Sequence, residues 1–468
     1  MFTADTNGIL KGQQYPHGVS RSAPVRTQRI GNRLWLLILI AALCFTGTAK
    51  AQQYYFVDCT GVNSGDYPSI TSALGVAGPG SIILVTGPCN ENVAINSALN
   101  LNIGAWYGQT ASINGNVSIF GSSSVFLYGL NVTNPSGDGF DITSSHAVTL
   151  DTCTGNGNLL FGLSAGGGSD VTIQGPSSFD NNGSQGINLS ANAIFTINSW
   201  GGPTDISNNR GPGVWLTAGS VFWTEGSTTI ENNANLPGVT PSTAFGISMF
   251  GASKAQLGTC FGPNFIQGNQ AGGISSQENS EISLWNCGQP YQSYLLNNGP
   301  VGISAGLGSQ VTLYNDVQIS GHSGPGIEVW GKSQLNVFEQ NQISNNGTAG
   351  DPRSAGIVVD GNSEAYLRGG QISANQGPGI LALVNSSVDF TGATFTGNSG
   401  GIIECDSSAY MVSNLSSPTA NPASGIDCRT PHNLGNRRGL SGWHPEIPDL
   451  TAQKNKRAWY KSVATPKS

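Results

Sequence analysis

A glycine followed by an apolar residue opens a short stretch of alternating polarity again and again between residues 139 and 404. Successive copies lie 22 to 33 residues apart, with a mean near 26. Regular spacing in this range is typical of stacked repeat units, which bury their apolar faces only against one another. Charged residues make up only 10% of the chain, which excludes a helical bundle rich in Ala, Glu, Lys and Leu. The copies begin at Gly139, Gly162, Gly186, Gly213, Gly246, Gly273, Gly302, Gly326, Gly356, Gly379 and Gly401.

A polar side chain recurs four residues before most of these glycines. One amide at a fixed position predicts a ladder, in which stacked side chains satisfy buried backbone groups at a corner of each unit. A second alternating stretch follows eight to eleven residues after each glycine, and no helix-length apolar pattern intervenes. The ladder positions are Asn158, Asn182, Asn209, Asn269, Asn298 and Asn375, with His322 as the single substitution.

This pattern resembles the right-handed parallel β-helix of the pectin-lyase-like superfamily over about residues 54–428. The segments 67–74, 80–85 and 87–93 are similar to the opening of pectin-methylesterase-like helices, where a short amphipathic helix covers the first coil. The resemblance implies an all-β fold, a single-stranded right-handed solenoid of about 13 coils with a short N-terminal capping helix. Covering that end matters because an open end presents unpaired strand groups.

The N-terminal segment 1–51 differs from the repeat region. Four arginines precede an apolar run of 12 residues at 34–45, and Ala49-Lys50-Ala51 follows it. This layout is typical of a secretory signal cleaved after Ala51, and an uncleaved anchor is the alternative. We therefore expect a secreted, cell-surface or periplasmic protein with no membrane span in its mature part.

Charge is distributed unevenly along the chain. Residues 52–428 carry 5 Lys and Arg against 23 Asp and Glu, a net charge of −18, whereas the tail at 429–468 carries 8 against 2. A body of this charge disfavours nucleic acid and pectate unless calcium bridges the two, and no other cofactor is expected. The basic tail is interpreted as a flexible extension, or as a tether to an anionic surface. A monomer is expected.

Four cysteines bracket the two ends of the repeat region. Cys59 with Cys89, and Cys405 with Cys428, predict disulfides that lock these ends. In an exported chain the compartment would allow them to form.

Three further cysteines each lie 14 residues after the glycine of their unit, which places Cys260 beside Cys287 in neighbouring coils. Parallel strands about 4.8 Å apart are close enough for a bridge. A column of buried thiols fits as well, and Cys153 is expected to be a buried thiol. No spacing indicates zinc.

The segment 134–142 is similar to the polygalacturonase strand that carries a catalytic aspartate, here Asp138. One coil later this chain has Asn156-Gly157-Asn158-Leu159, without a carboxylate. Because inverting hydrolysis requires two carboxyl groups, we expect this activity to be absent. Gly321-His322 is similar to the family's Gly-His element, but His322 stands at a ladder position and is expected to be structural.

A column of large side chains stands twelve residues after the glycine in consecutive units. It comprises Trp285, Tyr314, Phe338 and Arg368, with Tyr366 two positions before the last. Alternation places these side chains outward, so exposed rings about 5 Å apart would form a platform for a sugar chain. Stacking that merely stabilises the sheet is the alternative. Trp330 and Phe250 are expected on a neighbouring outer face.

Two acids near that face are candidates for catalysis. Glu328 and Asp360 are expected outward, one coil apart, with Cα atoms about 8 Å apart. Arg353 and Arg368 could neutralise a bound anion nearby. We assign Glu328, Asp360 and Arg368 as the catalytic candidates, although solvated surface carboxylates explain both acids equally simply.

Three functional hypotheses remain. The favoured one is an exported rod that binds a neutral or weakly charged polysaccharide along the aromatic face, with no catalysis evident. The second is a glycoside hydrolase or polysaccharide lyase with a nonstandard site. The third is a structural cell-surface protein.

Overall fold

The computed structural model describes residues 52–412, except 63–65, 108, 199–200, 235–244, 289, 352, 391 and 407. The expected signal segment 1–51 and the basic tail 429–468 lie outside the described residues. Within the described part, no helix has the length and apolarity needed to cross a lipid bilayer.

The strands of each coil belong to three parallel sheets, which we call A, B and C. Sheet A has 15 strands: Tyr54–Asp58, Ile82–Thr86, Leu99–Ala105, Ser123–Tyr128, His146–Asp151, Asp170–Gln174, Ile194–Asn198, Val221–Thr224, Lys254–Gly258, Glu281–Trp285, Gln310–Leu313, Gln334–Val337, Glu364–Leu367, Ser387–Asp389 and Tyr410–Val412. Sheet B has 12 strands: Ala111–Asn114, Leu130–Thr133, Thr154–Gly155, Ser177–Ser178, Thr204–Ser207, Thr228–Glu231, Asn264–Gln267, Ser293–Leu296, Val317–Ser320, Gln342–Ser344, Gln371–Ser373 and Thr394–Thr396. Sheet C has 13 strands: Val93–Asn96, Val117–Phe120, Phe140–Thr143, Leu163–Gly166, Ile187–Leu189, Val214–Leu216, Phe245–Met249, Gly272–Ser276, Ile303–Ala305, Ile327–Val329, Ile357–Val359, Ile380–Ala382 and Ile403–Cys405.

The repeated glycines of the sequence stand next to the strands of sheet C. The chain then passes through sheet A and sheet B before it returns to sheet C one coil further on. The 13 strands of sheet C agree with the expected number of coils, and the predicted parallel solenoid is confirmed. Every neighbouring pair of strands is parallel and in register, so equivalent residues of successive coils form straight columns.

One apolar core runs through the inside of the coils. Alternate residues of each strand point inward and are almost fully buried, as Ile274, Ile303 and Ile327 show in one column of sheet C. At about 25 cal/mol per Å² of apolar surface, this burial is the main favourable contribution to folding. No coil can obtain it alone, because each coil needs the coils above and below to cover it.

Asparagines form a ladder at the corner between sheets B and C. The backbone N–H and the side-chain Nδ2 of Asn182 both donate to Oδ1 of Asn209, at 3.0 and 2.9 Å. Asn209 donates in the same way to Asn233, and Asn233 to Asn269. The ladder thus satisfies backbone groups that the corner removes from the sheets.

A second ladder, of serines, follows the corner between sheets C and A. The backbone N–H of Ser309 donates to Oγ of Ser333, and the N–H of Ser333 donates to Oγ of Ser363, at 3.2 and 3.1 Å. These serines are at most 1% exposed. Both corners turn through left-handed residues, such as Asn208 and Lys332.

A short helix, Ile70–Leu74, packs against the first strands of the solenoid. Ser69 caps it by accepting from the N–H of Ser72. The Glu91 carboxylate accepts from the N–H groups of Ile70 and Thr71 at 2.7 and 3.0 Å, which attaches the helix to the next coil. Ile70 is fully buried, so the helix covers the apolar end of the core.

The predicted disulfide between Cys59 and Cys89 is present beside this helix, with Cα atoms 5.1 Å apart. At the opposite end, the expected partner of Cys405, Cys428, lies outside the described residues. Among the described residues, one group of three potential metal ligands lies close together, namely Cys59, Cys89 and Glu91, and its two sulfurs are already joined. The calcium expectation therefore stays a prediction.

Of the two arrangements open for the central cysteines, the structure has the disulfide. Cys260 and Cys287 are joined, with Cα atoms 4.9 Å apart. Cys153 is a buried free thiol, and burial raises its pKa to about 12. Its sulfur therefore stays protonated and packs as a small apolar group.

Candidate functional site

The outer surface of sheet A carries a column of three aromatic rings, Trp285, Tyr314 and Phe338, which we call the sheet A column. Backbone hydrogen bonds place its members in successive coils, with Tyr314 N donating to Leu284 O and Phe338 N donating to Leu313 O. Tyr314 is 48% exposed, and the other two rings are half-buried. The rings of Tyr314 and Phe338 are stacked, with centroids 5.7 Å apart and planes at 22°. Because Tyr314 and Phe338 stack face to face, these two rings present their edges on the outside of the coil.

Trp285 lies flat against the preceding coil because that coil has a glycine at the paired position. Gly258 is the partner of Trp285 in the register of sheet A. A Cβ atom at residue 258 would lie 2.7 Å from the indole ring, closer than carbon atoms approach. Only glycine leaves room for this orientation of the indole. Gly258 therefore forms the surface on which the Trp285 ring lies.

Two further exposed rings, which the sequence analysis does not single out, lie on the loops between sheets A and B. Phe261 is 41% exposed and Tyr291 is 38% exposed. The disulfide between Cys260 and Cys287 ties their two loops together. The carbonyl of Tyr291 also accepts from Asn286 Nδ2 at 2.9 Å. The matching positions of the two cysteines were the sequence signal that these loops lie side by side.

Arg368 and Tyr366 extend the aromatic surface toward the C-terminal coils. Arg368 N donates to Val337 O, which places it in the coil after Phe338, and its guanidinium pairs with Asp389 at 2.9 Å. Tyr366 lies in the adjacent outward column and donates its hydroxyl to Glu364 at 2.9 Å. Both side chains are thus held by neighbouring acids.

The expectation that Trp330 is an exposed ring is wrong. Trp330 is only 8% exposed. Its indole lies over Gly306 of the preceding coil, where an added Cβ atom would fall 2.2 Å from the ring. The missing side chain at residue 306 lets the indole lie down against the sheet instead of standing out. Phe250, three coils before Trp330, is half-buried and packs against Trp215 with ring centroids 4.9 Å apart.

Glu328 and Asp360 do lie near each other, but they are not solvated. Their carboxylates both contact Nη2 of Arg353, each at 3.0 Å, and all three side chains are about nine-tenths buried. Arg353 reaches them from the long connection between sheets B and C. Arg368, the third catalytic candidate, lies on sheet A and pairs with Asp389 instead. The structure therefore replaces the expected open acid pair with a buried ion-paired cluster.

Asp138 has no second carboxylate at Asn156–Leu159, as expected from the sequence. Burial raises the pKa of Asp138 to about 6, against a hydrogen bond from the N–H of Phe161 that lowers it and the nearby charge of Asp141 that raises it further. The side chain of Asn156, which stands where an acid would be needed, donates to Ser178 Oγ at 2.7 Å. The second carboxylate near Asp138 is therefore Asp141, three residues along the chain, and not a residue of the next coil.

His322 occupies a ladder position, as expected. It is 1% exposed, its backbone N–H donates to Asn346 Oδ1, and its ring Nδ1 lies 3.2 Å from the carbonyl of Asn298. Burial lowers the pKa of His322 to about 4. The ring is therefore neutral at physiological pH and has a structural role in the ladder at the corner between sheets B and C.

An acidic group on the outer face of sheet B was not anticipated. Asp180, Asp205 and Glu231 lie in three successive coils, and the N–H of Ser207 donates to Asp180 at 2.7 Å. Burial, and then the charge of Asp205, raises the pKa of Asp180 to about 7. Counting positions from the strands of sheet B would have brought these acids together, because the sequence separates them by about one coil each.

Replacing Asp180 by asparagine should change how stability depends on pH. Folded Asp180 keeps its proton up to about pH 7, whereas the unfolded chain releases it near 3.8. The folded state therefore binds more protons between these values, so the free energy of unfolding falls as pH rises through that range. We expect Asp180→Asn to raise the melting temperature at pH 8 clearly more than at pH 5, and to change it little near pH 4.

Thermal unfolding of both chains at several pH values between 4 and 8 measures this effect. His322 has the opposite influence below pH 6.5, but it is common to both chains and cancels in their difference. Asp170→Asn, on the outer face of sheet A, serves as the control. A difference between Asp180→Asn and the unaltered protein that is the same at pH 5 and pH 8 would contradict the prediction.

Three straight parallel sheets around one core define a protein of the β-helix class. Residues 280–430 match the family model described as "Right handed beta helix region". The chain therefore has a parallel β-helix fold, as the resemblance seen in the sequence implies. No curated protein sequence matches the chain significantly.

Several solved structures are similar in fold. The A-module of mannuronan C-5 epimerase AlgE4 from Azotobacter vinelandii is 14% identical, with a TM-score of 0.36, over 76% of this chain and 94% of that one. The family 28 exopolygalacturonase of Yersinia enterocolitica is 11% identical, with a TM-score of 0.31, over 80% and 79%. Pectate lyase Pel9A is 12% identical, with a TM-score of 0.26, over 80% and 82%. At these values the likeness carries no argument about activity.

Proposed function

We propose that the protein is an exported β-helix rod that binds a neutral or weakly charged polysaccharide along the sheet A column. The observation that carries the proposal is the outward stack of Tyr314 and Phe338, continued by Trp285 in the neighbouring coil. Aromatic rings that recur once per coil match a ligand that also repeats along its length. Tyr366 lies beside the column, and the corner rings Phe261 and Tyr291 widen the aromatic surface.

Charge limits the class of polysaccharide. Residues 52–428 carry a net charge of −18, so a long polyanion would be repelled unless cations intervened. Sugar rings offer an apolar face for stacking and hydroxyl groups around it, and aromatic side chains supply rigid apolar area at low entropic cost. A neutral chain is thus the ligand that fits. Export is supported by the two disulfides, which persist in oxidising compartments.

Replacing both Trp285 and Tyr314 by alanine should weaken polysaccharide binding at least tenfold. The double variant removes two adjacent rings, and each ring in such a contact contributes about 1 kcal/mol or more. A glycan array first identifies a ligand, and titration calorimetry on the hit then measures the affinity of each variant. Tyr128→Ala is the matched control, because Tyr128 is 39% exposed and lies in the same outward column of sheet A near the N-terminal end.

The glycans found on the array also test whether the protein is an enzyme. A reducing-sugar assay that detects turnover, abolished by Glu328→Gln together with Asp360→Asn, would favour a hydrolase or lyase. Their ion pairs with Arg353 argue against this outcome, because both carboxylates are buried and share one guanidinium. Binding that the Trp285 and Tyr314 substitutions leave unchanged would overturn the proposal, and no binding to any glycan would favour a structural surface protein.

A further inference from the structure

The outer face of sheet B carries a second aromatic stack, formed by Phe265 and Tyr294. Their ring centroids are 5.0 Å apart and their planes differ by only 8°. The two residues are direct partners in the register of sheet B, and both are half-buried on the outside of the coil. Trp285 and Tyr294 belong to the same coil, so this stack lies on a different face of the rod from the sheet A column.

Three glutamines continue this stack in perfect register. Tyr294 pairs with Gln318, Gln318 with Gln342, and Gln342 with Gln371. Gln342 and Gln371 are exposed, and Gln318 is half-buried. We call the five outward residues Phe265, Tyr294, Gln318, Gln342 and Gln371 the sheet B column. It spans four coil steps, about 19 Å along the rod.

The parallel outward column beside it is also uncharged. After Glu231 it consists of Gln267, Leu296, Ser320, Ser344, Ser373 and Thr396. The outward residues of sheet B strands from Asn264–Gln267 to Thr394–Thr396 therefore include no Asp, Glu, Lys or Arg. An outer face without charged residues is unusual here, because residues 52–428 contain 23 acidic and 5 basic residues.

We propose that the sheet B column is a second binding site for a neutral glycan. The inference shares only its ligand class with the proposed function. The edges of the two stacked rings offer an apolar strip for a sugar to pack against, and each glutamine amide offers both a donor and an acceptor for hydroxyl groups further along. An anionic sugar finds no cation on this face, and a cationic one finds no carboxylate beyond Glu231. A rod with binding sites on two faces would hold a polysaccharide surface with higher avidity than either site alone.

The test is the stoichiometry of binding by the full chain. Cellohexaose, xylohexaose, mannohexaose and chitohexaose serve as probes in titration calorimetry, and oligogalacturonate serves as the anionic control. We expect two sites per chain for a neutral probe. Phe265→Ala with Tyr294→Ala should leave one site, Trp285→Ala with Tyr314→Ala should leave the other, and the combined variant should leave none.

The two proposals fail in different ways. One site that disappears only in the Trp285 and Tyr314 variant overturns the sheet B proposal and leaves the proposed function standing. One site that disappears only in the Phe265 and Tyr294 variant does the reverse. Gln318→Ala with Gln342→Ala keeps both rings in place and guards against loss of folding. It should weaken the second site about threefold, and an unchanged affinity there would also contradict the inference.

Discussion

Replacing Arg353 by alanine should lower the free energy of unfolding by about 3 to 5 kcal/mol. Its guanidinium contacts both Glu328 and Asp360 at 3.0 Å, and all three side chains are about nine-tenths buried. Without it, two carboxylates face each other with little access to water. Removing one partner of a buried pair costs far more than the pair contributes, because the remaining charge stays desolvated. Urea unfolding at pH 7 measures the loss.

Arg368→Ala is the matched control for this experiment. Arg368 also pairs with a carboxylate, Asp389, at 2.9 Å, but half of its side chain is exposed. Exposed ion pairs contribute about 1 kcal/mol or less, so the control should lose little stability. A triple variant with Arg353→Met, Glu328→Gln and Asp360→Asn should recover part of the loss, since it leaves no buried charge. A loss below about 1 kcal/mol for Arg353→Ala would show that water reaches the cluster.

The repeat and its ladder could be predicted because both follow from requirements that every coil shares. Four ladder members do not stand four residues before a repeated glycine, namely Asn134, Asn233, Asn346 and Asn398. Their distance from the following glycine differs, because the segment between the ladder and sheet C varies in length. Sheet B is the more constant reference, since most ladder residues stand three positions after an inward apolar residue, as Ile230 and Asn233 show.

The sequence predicts which side chains point outward from a strand, but it does not predict how exposed those side chains are to solvent. Alternation along the strands correctly placed Trp285 and Tyr314 on the outside of sheet A. Alternation also predicts that Trp330 and Glu328 point outward. Both do point outward from their strands, yet they are only 8% and 9% exposed. What covers a strand depends on loop lengths and on glycines in adjacent coils, such as Gly306 under Trp330. These are tertiary facts, and period-2 alternation carries no information about them.

Replacing Asn209 by alanine should cost about 3 kcal/mol or more of unfolding free energy. Its Oδ1 accepts two hydrogen bonds from Asn182, and its Nδ2 donates to Phe179 O at 3.0 Å and to Asn233 Oδ1 at 2.9 Å. The residue is 0% exposed, so no water can replace these partners without entering the core. Each unsatisfied buried group costs about 1 to 3 kcal/mol, and the alanine leaves several.

Urea unfolding of Asn209→Ala, Asn209→His and Asn336→Ala separates the ladder from a general effect of losing an amide. Asn336 lies half-buried on the outer face of sheet A, and its loss should change stability by less than about 0.5 kcal/mol. Histidine should restore part of the loss, because the ring of His322 already fills one ladder position, with Nδ1 3.2 Å from the carbonyl of Asn298. Since each coil is stabilised by its neighbours, the damage at Asn209 should also spread to adjacent coils. Hydrogen exchange in the strands Ser177–Ser178 and Thr228–Glu231 should therefore accelerate. Equal stability of Asn209→Ala and Asn336→Ala would mean that the apolar core alone holds the coils together, and that the ladder is a consequence of stacking and not a cause.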